Sequence, residues 1–66
     1  MDKDQRAAFL NSQSVCAMIE AMGMQADNKQ REFKGEAVAY PKEAFDDLQV
    51  KYGISHNQAT ALLMED

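Results

Sequence analysis

The sequence predicts an all-α protein: a long first helix, a short connector and a C-terminal helical hairpin, forming one small domain over residues 1–66. Three observations lead there. Apolar residues recur at steps of three and four rather than in alternation. Helix start and stop signals bracket three segments. No strand pattern runs longer than Ala37-Val-Ala-Tyr40.

The first helix opens at Asp2 or Asp4. Gln5, three residues after Asp2, completes a capping-box pattern. Helix formers run to Lys34, and Gly35 is the natural stop. Lys29, Arg31 and Lys34 gather near that end, where cations complement the helix dipole. One continuous helix is the simplest reading. A break near Ser12 or Ser14 is the alternative, because Asn11-Ser-Gln-Ser14 is a poor helical run and Gly23 costs about 1 kcal/mol relative to Ala.

The apolar pattern of this helix exceeds what one packing partner needs. Ala8, Ser12, Val15, Ile19, Met22, Ala26 and Phe33 form one stripe. Phe9, Leu10, Cys16, Ala17, Met18, Ala21 and Met24 fall on other faces, and between Val15 and Met24 only Glu20 is charged. A helix apolar around most of its circumference must be covered on more than one side. Two short helices cover one side, and a second copy of the chain is expected on the other. Gly23 suits a close approach of that neighbour, and Met18, Met22 and Met24 supply adaptable surface around it. The expected self-association surface is therefore Phe9, Val15, Met18, Ile19, Met22, Gly23 and Met24.

Gly35-Glu-Ala-Val-Ala-Tyr-Pro41 reads as the connector. Pro41 pushes Tyr40 away from helical dihedrals and suits the first position of the second helix. Ala44, Phe45, Leu48 and Tyr52 then mark one face of a helix running to about Tyr52. Gly53 ends it in a left-handed conformation, and Ser55 with Gln58 forms a capping box for a third helix from about His56 to Met64. Tyr40, Phe45, Leu48, Tyr52, Ile54 and Leu62 are expected to hold the hairpin against the first helix, with Ala59 and Leu63 beside them.

Size and charge bound the function. A 66-residue chain buries only about 60% of the surface its unfolded form exposes, so its core is marginal. Chains of this length often add disulfides, a metal or a partner subunit. The single Cys16 excludes an intramolecular disulfide, its only conceivable metal companion is His56, and its setting in Val15-Cys-Ala-Met-Ile19 suits a small buried hydrophobe. Self-association is the stabiliser that remains. An unpaired thiol, a charged Met1-Asp2-Lys3-Asp4-Gln5-Arg6 start and the lack of a run of ~20 apolar residues lead us to expect a cytoplasmic protein that does not enter a membrane.

The net charge is −4. Residues 1–40 carry five bases against six acids, whereas residues 41–66 set Lys42 and Lys51 against Glu43, Asp46, Asp47, Glu65 and Asp66. A phosphate backbone or an anionic membrane meets repulsion from that C-terminal portion.

No catalytic constellation is present, so an enzyme is not expected, and neither is a cofactor. His56 lacks a catalytic partner at any recognisable spacing, and Ser12, Ser14 and Ser55 serve better as caps than as nucleophiles. Glu43, Asp46 and Asp47 share a helical face without the loop that a hard metal requires. Gly23, Gly35 and Gly53 are isolated, so there is no glycine-rich phosphate loop.

Leu48, Gly53, Ile54, Ala59 and Leu62 are spaced so that the stretch from Ala44 to Leu63 resembles a helix-turn-helix. Gln49 departs from that family, which carries a small Ala there. The resemblance implies that His56, Asn57, Gln58 and Thr60 face a DNA groove, where Asn and Gln read adenine edges. Yet Ser55 to Leu63 holds no Lys or Arg to anchor phosphates, and Asp46 and Asp47 lie close by. A second pattern is Met24-Gln-Ala-Asp-Asn28, Arg31, Gly35-Glu36, Ala39-Tyr40, Glu43-Ala-Phe45 and Lys51-Tyr-Gly53 with His56-Asn57. It resembles small proteins encoded by tailed phages and prophages, which implies an intracellular modulator of host machinery or defence and brings no catalytic residues. The expectation is a protein-binding homodimer or larger oligomer with a further, unidentified protein partner. A helix-turn-helix transcriptional regulator is the alternative.

Overall fold

In the computed structural model, which describes residues 2–64, the chain is all-helical: α1 spans Lys3–Phe33, α2 Lys42–Lys51 and α3 His56–Met64. Asp2 caps α1 through the expected box. Gln5 N–H donates to Asp2 Oδ1 at 2.7 Å, and Asp2 N–H donates to Gln5 Oε1 at 2.9 Å. The helix runs unbroken through Asn11–Ser14 and Gly23. Ser14 is accommodated by donating its hydroxyl to Leu10 O at 2.9 Å, the back-bond to the preceding turn that a serine makes inside a helix.

Both glycine stops are Schellman motifs. At Gly35 (φ 77°) the Glu36 N–H reaches Arg31 O at 2.7 Å and the Gly35 N–H reaches Glu32 O at 3.0 Å. At Gly53 (φ 68°) the Ile54 N–H reaches Gln49 O at 2.8 Å and the Gly53 N–H reaches Val50 O at 3.1 Å. Pro41 lies one residue outside α2, at its N-cap, and its carbonyl accepts from Ala44 N–H at 2.9 Å. Ser55 and Gln58 cap α3, with the Ser55 hydroxyl donating to Gln58 Oε1 at 2.7 Å.

The expected hairpin does not form. α2 and α3 follow one another along the same side of α1 as a single helix bent at Gly53, and scarcely touch each other. The reason is length. At ~1.5 Å per residue α1 is about 46 Å long, enough for α2 and α3 to lie on it in file. Each then buries its apolar face on α1 rather than on the other. The Cα atoms extend 51 × 17 × 10 Å, and the radius of gyration is 15.1 Å. A compact chain of this length would have about 11 Å.

The face of α1 that receives the bent helix is Leu10, Gln13, Ala17, Ala21, Met24 and Asn28, a regular helical stripe. Ala17, Met24 and Leu48 are its buried centre, flanked by half-buried Phe45, Tyr52, Ile54, Ala59 and Leu62. Tyr40, expected among them, is exposed at 37% but tied down through its backbone. Leu63, another expected core residue, is 42% exposed because α3 turns Ala59 and Leu62 to α1 instead.

Polar contacts pin three points of this seam. Gln13 donates to Tyr52 O at 3.3 Å, and Lys51 Nζ lies 2.7 Å from Glu20 Oε1. The Lys51 ammonium, and secondarily the Tyr52 hydroxyl, hold the Glu20 carboxyl below its ordinary range. At the far end Asn28 Oδ1 accepts from Ala39 N–H at 3.1 Å and Tyr40 N–H at 3.0 Å, while Asn28 Nδ2 donates to Tyr40 O at 2.8 Å. Asn28→Ala is expected to cost about 1 kcal/mol, because the freed groups sit at the surface and bond water. Hydrogen exchange at Ala39 and Tyr40 should accelerate while the centre of α1 stays protected; unchanged exchange would contradict this role.

Candidate interaction surface

With one side of α1 occupied, its opposite side carries a largely apolar stripe, interrupted by Ser12 and Lys29. Val15 is 48% exposed, Ile19 65%, Met22 60% and Phe33 94%, with Ala8 and Ser12 exposed ahead of them and Ala26 and Lys29 exposed before Phe33. Phe9 and Met18 border this stripe, also exposed. The stripe ends in a shallow apolar depression lined by Ala26, Lys29, Gln30, Phe33 and Lys34.

Of the residues expected on this surface, Phe9, Val15, Met18, Ile19, Met22 and Gly23 are exposed. Met24 is not: it lies nearly a half-turn away from the stripe, in the intramolecular core. The periodicity already separated it, since Met24 is seven residues from Ala17 and belongs to that row rather than to the row of Met22. Apart from the backbone of its own turn of helix, nothing comes within 4 Å of where a Gly23 side chain would begin, so this glycine serves no packing between elements of the monomer. Cys16 is exposed rather than buried, because the bent helix covers Ala17 and stops short of its neighbour.

The amount of exposed surface is itself informative. The chain exposes 5113 Å², against about 4200 Å² expected of a folded monomer of 7.4 kDa. The excess, about 900 Å², is close to the ~800 Å² that each partner buries in a standard protein interface.

The second candidate surface, on α3, is built differently. His56, Asn57, Gln58 and Thr60 are exposed, but Gln58 is engaged by Ser55 in the cap. The packing of one helix on the next that defines a helix-turn-helix is missing. Lys42 and Lys51, the two cations of α2, are paired with Asp46 and Glu20. Among the described residues no three His, Cys, Asp or Glu side chains are gathered as a metal would need, and no helix is long and apolar enough to cross a membrane. No protein family, curated protein or solved structure matches this chain.

Proposed function

We propose that this protein is a non-enzymatic binding module that works as a homo-oligomer through the outer face of α1. The observation that carries this reading is the largely apolar stripe from Ala8 to Phe33 on a chain whose buried centre, among the described residues, is only Ala17, Met24 and Leu48. Single exposed apolar residues are ordinary, but a contiguous row of them along a whole helix is a contact surface. A second protein partner would then be bound by the assembled oligomer, and the resemblance to small phage proteins makes a component of the host machinery or defence its natural class. Glu43 and Asp47 of α2, which form no ion pair among the described residues, offer that partner an electrostatic handle.

Sedimentation equilibrium tests the reading. The expected mass is at least twice the 7.4 kDa of one chain, falling on dilution. Random-sequence duplex DNA in the same cell should leave the profile unchanged at moderate salt. A 7.4 kDa species at every concentration would overturn the oligomer. Salt-sensitive co-sedimentation with DNA would favour a regulator instead.

A further inference from the structure

We infer that the partner on the outer face of α1 is a second copy running antiparallel, related by a two-fold axis passing between Glu20 and Ala21. This rests on the oligomeric reading above and adds its orientation and register.

The steps along the stripe alternate without exception. Ala8, Ser12, Val15, Ile19, Met22, Ala26, Lys29 and Phe33 are separated by four, three, four, three, four, three and four residues. That is the heptad pattern of a two-helix seam, in which apolar residues recur every 3.5 positions on average. All eight residues are exposed in the single chain. Their midpoint lies between Glu20 and Ala21, so an antiparallel copy in full overlap pairs Ala8 with Phe33, Ser12 with Lys29, Val15 with Ala26 and Ile19 with Met22.

Two of those pairs, Ser12 with Lys29 and Ala8 with Phe33, resolve conflicts that the parallel arrangement creates. In parallel, Lys29 would face Lys29 across an apolar seam, and like charges taken from water are costly. Antiparallel, the lone cation of the seam meets its lone hydroxyl, and Lys29 can extend its ammonium past Ser12 to solvent. In parallel, Phe33 would collide with Phe33 while Ala8 left a void against Ala8. Antiparallel, the largest residue of the seam meets one of the smallest, which is how a contact reaches interior packing density. The depression around Phe33 and Lys34 then lies beside the first turn of the other helix, with Asp4 within one turn of the partner's Lys34. Opposed helix dipoles act in the same direction. A two-fold axis makes the contact self-complementary and closed, so association stops at the dimer.

Disulfide trapping tests the register on the full chain. In a Cys16→Ser background, Val15→Cys and Ala26→Cys are prepared separately and mixed in equal amounts before mild oxidation. Antiparallel pairing predicts that the mixed 15–26 disulfide dominates. Like residues then sit eleven positions apart along the seam, about 16 Å, beyond the ~7 Å Cα separation that a disulfide spans. Dominant 15–15 and 26–26 products would establish a parallel pair and overturn the inference while leaving the oligomer intact. A dimer in sedimentation that cross-links at neither position would overturn it too, by placing the contact on another face. Monomeric sedimentation of the wild-type chain would remove both the inference and the reading beneath it.

Discussion

Met22→Glu is expected to sediment as a monomer that keeps its helical circular-dichroism signal. Within one chain Met22 is 60% exposed and touches no core, and Glu is as good a helix former as Met. The substitution therefore leaves the fold of the single chain undisturbed. In the proposed antiparallel pair the same side chain would face the partner's Ile19, where a carboxylate would have no cation and no water. An unpaired buried charge costs about 3–5 kcal/mol, and the lower figure alone raises Kd by roughly two orders of magnitude. Met22→Leu, which conserves volume and polarity, is the control and should retain the wild-type mass. A Met22→Glu protein with unchanged mass and melting temperature would refute the assignment of this face.

Gly53→Val is expected to lower the melting temperature of the chain by roughly 5–20 °C, taking 1–3 kcal/mol for a residue held in a disfavoured dihedral region and ~4–8 °C per kcal/mol for a domain this small. The cause is dihedral rather than steric. Gly53 has φ 68°, while nothing lies within 4 Å of where its side chain would start. Gly53→Asn separates the two causes, since Asn tolerates the left-handed region and should melt much closer to wild type. A Val variant that matches wild type would mean that the bend does not need this conformation. The effect should reach α3 first, because the turn at Gly53 directs Ala59 and Leu62 onto α1.

These two residues mark where local and long-range information part. The turn chemistry at Gly53 is contained in its neighbours: a glycine after an amphipathic run, followed by Ser55 and Gln58, is enough to end one helix and start another. The same holds at Asp2 and Gln5, at Gly35, and at Pro41 to within one residue. Capping bonds close within a few residues, so the sequence nearby contains both partners. Asn28 has no such local signal, for the opposite reason. Its partners, Ala39 and Tyr40, are brought to it only when the connector folds back over α1.

The sequence by itself determined that this chain is helical, where the stop and start signals lie to within a residue or two, and that α1 has more apolar surface than two short helices can cover, while it left open whether α1 breaks near Ser12 or Ser14. Only the tertiary structure decided which part of that surface is spare. Local signals at Gly53 reverse the backbone conformation but do not set whether α3 returns along α2 or continues along α1. The length of α1 favours continuation, because a single long face accepts both Leu48 and Leu62 and leaves neither helix to cover the other. That choice places Met24 inside and leaves Val15, Ile19, Met22 and Phe33 outside. The assignment follows from the helical period once one face is occupied, and before that the competing stripes of α1 are equivalent in any local reading.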